Sequence, residues 1–159
     1  MCNMNRKVTM ALMYATEKHA GQFYPRRDEE WPFITHPIRV ALRVASFSSD
    51  TATIVTALLH DVVEDTDTPI SEIRFRFGIV VASAVQALTR HDDTIPYKDY
   101  IRSLLDQPIA RIVKIADLQD NLYHCRVNDA PAWTKRLIGR YIWALEFLTS
   151  GEEARTSVD

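Results

Sequence analysis

An all-α domain is the fold class this sequence predicts, on three observations. Apolar residues recur at spacings of three and four along nearly the whole chain. Long stretches lack both of the residues that interrupt helices, with only 4 glycines and 7 prolines in 159 residues. Five prolines, Pro37, Pro69, Pro96, Pro108 and Pro131, stand at or just before the start of a periodic segment, where a missing N–H costs little and φ is already helical. About eight helices are expected, near 6–20, 37–47, 51–64, 70–77, 79–89, 96–105, 108–127 and 131–149. No alternating strand of useful length, repeat period or linker composition intervenes. A single domain over residues 1–159, with its core from about 6 to 149, follows from a length that buries a full hydrophobic core without disulfides.

Composition narrows the function classes. Apolar residues are 47% and charged residues 25%, ordinary soluble globular values. A net charge of −2 with no basic run longer than two residues gives no attraction for a polyanion, so neither nucleic acid nor a membrane surface is an expected partner. Cys2, in a disordered-looking N-terminus, and Cys125, inside an apolar helical pattern, form no disulfide framework, which fits a reducing cytoplasm. The N-terminal "VTMALMYATEKHA" is broken by Glu17 and Lys18 before any signal-length apolar run develops, so no export signal or membrane span is expected.

The chemistry concentrates in a few places. "TALLHDVVEDT", residues 56–66, brings His60, Asp61, Glu64 and Asp65 directly out of a run that looks like the buried side of a helix. A charge taken out of water costs several kcal/mol unless it is paired or bound to a metal. His36 in "FITHPIRVALRVA" and Asp117 in "ARIVKIADLQDNL" are two more ligand-type residues in apolar settings. Each has a bland reading taken singly. His36 and His60 could be packed or capping histidines. Asp117 could pair with Lys114 three residues earlier. Glu64 and Asp65 could be a solvated helix end, with Thr66 and Asp67 capping the next helix. The loop 21–35, "GQFYPRRDEEWPFIT", mixes basic, acidic and aromatic residues, and long loops in compact domains are often functional. "TRHDDTIPYKDYI" could hold a second cation through His91, Asp92 and Asp93, but reads better as a solvated loop before Pro96. The aromatic stripe of the last helix, with Trp133, Tyr141 and Trp143, reads as core packing or a subunit contact, which leaves a homo-oligomer open.

Taken together, "KHAGQ", a basic pair, "FITHP", "ALLHDVVEDT" and "VKIADLQDNL" resemble, in order and from about residue 15 to 125, the HD-domain metal-dependent phosphohydrolases. More narrowly they resemble the alarmone hydrolase branch: the hydrolase domain of RelA/SpoT proteins and the stand-alone small alarmone hydrolases, including the Mesh-type enzymes. That resemblance implies an HD-domain helical bundle. It makes His36, His60, Asp61 and Asp117 ligands of one divalent ion, typically Mn²⁺ in this branch. A mixed imidazole and carboxylate set of this kind could equally take Fe, Co, Ni or Zn. It makes Glu64 and Asp65 the catalytic acid pair, with Glu64 on the helix face of His60 and in reach of the attacking water. Asn121, Arg26 and Arg27 match the nucleotide-contacting positions. The implied activity is 3′-pyrophosphohydrolysis of guanosine tetra- or pentaphosphate to GDP or GTP by a free-standing hydrolase.

Two departures fall in the nucleotide-reading region. "DEEWPF" follows the basic pair where the family has Gly-x-Pro-Tyr, and "ADLQDN" lacks the basic residue usual after "AD". An HD hydrolase of another nucleotide phosphate (a deoxynucleotide, an adenosine alarmone or a phosphorylated dinucleotide) and a catalytically silent binding module are the two alternatives. A binding module has no need of Glu64.

Overall fold

The computed structural model describes residues 2–24, 31–90, 94–127 and 134–151. Its helices are α1 (Cys2–Lys18), α2 (Thr35–Ala45), α3 (Thr51–Leu59), α4 (Val62–Asp65), α5 (Ile70–Phe77), α6 (Ile79–Leu88), α7 (Tyr97–Ser103), α8 (Pro108–Val127) and α9 (Thr134–Ser150). Among the described residues there is no strand, only an isolated antiparallel bridge between Phe23 and Pro32.

The prolines act locally as expected. Pro69 and Pro96 are the N-caps of α5 and α7, Pro108 opens α8, and Pro37 lies in the first turn of α2. Pro131 and Trp133 lie outside the described residues. Gly78 has φ 92° and serves two helices at once: its N–H closes α5 on the Arg74 carbonyl at 3.0 Å, and its carbonyl accepts from Ala82 to open α6. An L side chain is strained at that φ. Two sequence expectations are corrected. The N-terminus is not irregular, because α1 begins at Cys2, and no glycine or proline interrupts residues 2–18. Thr66 and Asp67 do not cap α5, since the Thr66 hydroxyl instead donates to the Val62 carbonyl at 2.6 Å and so closes α4.

Helix α3 is the axis of the molecule, packed against α1, α2, α6 and α8. Asp50 starts it, accepting from the Thr53 N–H at 2.9 Å and from the Thr53 hydroxyl at 2.6 Å. Val55, Ala57, Leu58 and Leu59 then bury against the surrounding helices, each larger side chain contributing roughly 1.5–3 kcal/mol of transfer free energy. Surrounded in this way, α3 delivers its C-terminal residue to the interior and not to solvent.

The expected helix over 51–64 is two helices, broken at His60 and Asp61. His60 keeps helical angles, but Asp61 relaxes to φ −96°, ψ −8°, the bridge region between the main allowed basins. The Asp65 N–H then bonds the Asp61 carbonyl at 2.8 Å, which restarts the helix as α4. An uninterrupted helix would carry Asp61 about 100° round the axis from His60. The break brings the Asp61 carboxylate to the same side as the His60 imidazole.

Candidate metal centre and cleft

Three elements meet beneath one cleft. From α2 comes His36, from the α3–α4 junction His60 and Asp61, and from α8 Asp117, with His36, His60 and Asp117 all buried. His36 Nε2 lies 3.1 Å from Asp117 Oδ1 and 3.5 Å from Asp61 Oδ2. His60 Nε2 lies 3.1 Å from Asp61 Oδ1 and 3.9 Å from Asp117 Oδ1. Donor atoms of His36, His60 and Asp61 all fall within 4.8 Å of one another, as a metal site requires.

Hydrogen bonding on the far side of each ring sets what these nitrogens present. His60 Nδ1 is 2.8 Å from the Ala57 carbonyl, which can only accept, so Nδ1 carries the proton. His36 Nδ1 is 2.9 Å from Asp120 Oδ2, again an acceptor. Each Nε2 is thereby left to face carboxylate oxygens, with a lone pair to offer whenever its ring is neutral. His60 Nε2 is buried with no hydrogen-bond partner among the described residues. Lone pairs so arranged repel unless a cation or a proton lies between them. Donors each about 2.1 Å from a common ion are separated by roughly 3–4 Å, which is the spacing found. The cluster could hold a divalent metal.

Electrostatics agree. Burial pushes His36 down, but the carboxylates of Asp117 and Asp120 on either side of the ring outweigh it and raise its pKa to about 10. Asp61 is held below the usual carboxylate range, burial being outweighed by the His60 and His36 rings. Asp117 is also depressed, against burial, above all by Lys114. Lys114 Nζ donates to Asp117 Oδ2 at 2.7 Å and Asn121 Nδ2 donates to Oδ1 at 2.7 Å. The salt bridge and the inward-facing oxygen thus coexist on one carboxylate: Oδ2 belongs to Lys114, while Oδ1 faces the imidazoles.

Above this cluster opens a cleft of about 230 Å³, lined by Tyr24, Phe33, Glu64, Leu88, Lys114, Asn121 and Tyr141 as well as the cluster itself. Glu64 is exposed, and its Oε2 accepts the Arg90 backbone N–H at 2.9 Å. Asp65, one residue on, is not among the lining residues. Its carboxyl is pushed up to about 6, first by partial burial and then by the charges of Asp61 and Glu64. Asn121 lines the cleft through α8. Arg26 and Arg27, and His91, Asp92 and Asp93, lie outside the described residues. The two arms of the first loop are pinned to each other by Tyr24 N–H to Trp31 O at 3.0 Å and Phe33 N–H to Gln22 O at 2.9 Å, which places Tyr24 and Phe33 on the cleft wall.

Sequence reasoning passed over three participants. Tyr141 was read with the packing stripe of α9, yet it faces the cleft, while its neighbour Trp143 stacks on Phe147 with ring centres 5.3 Å apart. Arg39 and the fully buried Asp120 were not singled out. The signal for Asp120 was present: Asp117, Asp120, Asn121 and His124 share one helical stripe at i, i+3, i+4 and i+7.

An all-helical fold with a histidine and aspartate cluster at its centre defines a class, and the sequence comparison agrees with it. A family model described as "HD domain" matches residues 11–103, and the chain belongs to that family. Within it, the chain is similar to particular enzymes. The guanosine-3′,5′-bis(diphosphate) 3′-pyrophosphohydrolase MESH1 of Xenopus tropicalis is 36% identical over 146 residues, covering 86% of this chain and 79% of that protein. Human MESH1 is 35% identical over 142 residues, covering 84% and 78%. A guanosine-3′,5′-bis(diphosphate) 3′-pyrophosphohydrolase of Aquifex aeolicus (strain VF5) is 36% identical over 123 residues, but this chain spans only 17% of that longer protein. A solved structure described as a metazoan ortholog of SpoT that hydrolyzes ppGpp and plays a role in starvation responses superposes with a TM-score of 0.72 at 31% identity, over 93% of this chain and 88% of that one.

Proposed function

We propose that this chain is a metal-dependent phosphohydrolase that removes pyrophosphate from the 3′ position of guanosine tetra- or pentaphosphate, leaving GDP or GTP. The observation that carries the chemistry is the meeting of His36 Nε2, His60 Nε2 and the Asp61 and Asp117 carboxylates at 3.1–3.9 Å beneath a cleft that Glu64 also lines. The substrate rests on the likeness to the MESH1 enzymes, which spans most of both chains.

His36, His60, Asp61 and Asp117 are the residues that would hold the ion, with Mn²⁺ as its identity by the same likeness. A divalent ion supplies charge for a phosphate oxygen and makes a nearby water more acidic. Around the two rings stand three carboxylates, Asp61, Asp117 and Asp120, with Lys114 paired to Asp117 and Arg39 and Arg43 beside Asp120. Glu64 takes the proton from the attacking water, and its bond to the Arg90 N–H fixes the direction of its carboxylate. Asp65 assists from the end of α4. Asn121 and the Arg26 and Arg27 pair meet the nucleotide, a guanidinium being able to stack on a purine or grip a phosphate. Phe33 and Tyr24, with ring centres 5.6 Å apart, give the base an aromatic wall.

The chain acts as one domain in the cytoplasm, as a monomer or a homo-oligomer, on a small nucleotide. Among the described residues no helix is long and apolar enough to cross a membrane. Chromatography of the products from guanosine tetraphosphate with Mn²⁺ tests the function. GDP and pyrophosphate are expected, with Arg26 and Arg27 substitutions raising KM more than they lower kcat. Release of single phosphates, or indifference to this substrate beside rapid cleavage of a deoxynucleotide or an adenosine alarmone, transfers the site to the other nucleotide reading.

A further inference from the structure

The most heavily bonded buried carboxylate among the described residues is one for which the proposed mechanism has no step. Asp120 is 0% exposed on α8. Its Oδ2 lies 2.9 Å from His36 Nδ1. Arg39, one helical turn after His36 on α2, grips the same carboxylate with two donors on one edge of its guanidinium: Nε reaches Oδ1 at 3.0 Å and Oδ2 at 3.1 Å, and Nη2 reaches Oδ2 at 3.0 Å. Arg43 Nε stands 3.6 Å from Oδ1, and His124 Nε2 stands 3.9 Å from Oδ2. Arg39 Nη2 also donates to the Tyr24 hydroxyl at 3.1 Å, and Tyr24 is the last described residue before the segment that holds Arg26 and Arg27.

A carboxylate buried so completely and held from several sides is fixed in position, and so is whatever it bonds. We infer that Asp120 is the positioning residue for His36, holding the ring as the Nδ1–H tautomer with Nε2 aimed into the metal centre, and that Arg39 latches this pair to Tyr24 at the base of the first loop. A ring held only by packing could flip or change tautomer and offer N–H in place of a lone pair. Outer carboxylates of this kind orient metal-ligating histidines, and their loss typically lowers metal affinity by about 10–100-fold. Arg39 then has two effects. It compensates a buried charge that would otherwise be costly, and it joins the orientation of a metal ligand to the loop that meets the nucleotide. Lysine cannot reproduce this two-donor grip.

The inference rests on His36 being a metal ligand, so the test separates the two. Calorimetric titration with Mn²⁺ alone gives the affinity, and nitrogen-correlated NMR of the imidazoles gives the His36 tautomer. Asp120→Asn should weaken Mn²⁺ binding by about 10–100-fold and shift the His36 ring nitrogens, while the His60 pattern stays that of the parent. Because Asp120→Asn leaves Arg39 without its partner and could compromise folding, the Arg39→Met/Asp120→Asn double variant, which removes both charges, is measured beside it and should show the same loss. Arg39→Lys should give a smaller loss of the same kind. Either folded Asp120 variant binding Mn²⁺ as tightly as the parent, with unchanged His36 signals, overturns the positioning role. His36→Ala binding Mn²⁺ undiminished overturns instead the ligand reading beneath it.

Discussion

Substituting Glu64 by glutamine separates chemistry from architecture. Glu64 is exposed in the four-residue α4, and its Oε2 accepts the Arg90 N–H at 2.9 Å. A glutamine carbonyl oxygen occupies the same place and keeps that bond, so the stability change should stay within roughly 0.5 kcal/mol, or about 1–2 °C in Tm for a chain of this size. The metal cluster does not use Glu64, so about one ion per chain should remain. What is lost is a proton acceptor, and with it about 10²–10⁴ in rate, equivalent to roughly 2.7–5.4 kcal/mol of barrier. Initial rates with guanosine tetraphosphate, metal content and Tm should be read on one preparation of each variant. His60→Ala, by contrast, should lose ion and rate together, because it removes an Nε2 whose ring is fixed by the Ala57 carbonyl. A Glu64→Gln protein with its ion and an undiminished rate would refute the assignment and leave charge neutralisation at the cluster to explain catalysis alone.

Asp117→Ala should bind no ion by elemental analysis and gain no thermal stability from added Mn²⁺, since it removes the oxygen that faces both imidazoles and strands Lys114. Metal binding should also release protons. His36, raised to about 10, is protonated at neutral pH when no ion competes, and metal and proton want the same lone pair. The sign follows from that raised pKa. In chelator-treated protein the His36 contribution is complete below about 6.5, its unfolded value, and is lost as pH climbs through about 10. The Tm gain from Mn²⁺ should therefore grow from pH 6 upward, and a gain that is flat or falls with pH contradicts it. Asp50→Ala removes the cap of α3 and both bonds to Thr53, and should cost about 1 kcal/mol in denaturant unfolding with kcat unchanged.

Much of the fold was legible because helix signals are local. Pro69, Pro96 and Pro108 mark their helices through a fixed φ and a missing N–H, whatever lies across the domain. The apolar stripe of α8, with Ala110, Val113 and Ala116 buried, reads from spacing alone. His36, His60, Asp61 and Asp117 stood out for a related reason: an ionisable group among apolar neighbours needs a partner, and that need is visible in the chain itself.

Which partner each group finds is a different matter. "TALLHDVVED" contains neither glycine nor proline, and nothing in it marks a break after Leu59. The break at Asp61 belongs to the packed state, in which its carboxylate lies 3.5 Å from His36 on α2 and 3.1 Å from His60. Asp120 likewise meets His36 across 84 residues. Tyr141, on the same helix as the buried Ala144, Phe147 and Leu148, lines the cleft together with Asn121 of α8, against which α9 packs. The sequence by itself determined the helices and the ligand-type residues, because periodicity, capping and the cost of burying charge depend on neighbours along the chain. Only the tertiary structure decided where α3 ends, which carboxylate holds His36 and which aromatic lines the cleft, because those contacts join residues tens of positions apart and exist only once α2, α3, α8 and α9 have packed together.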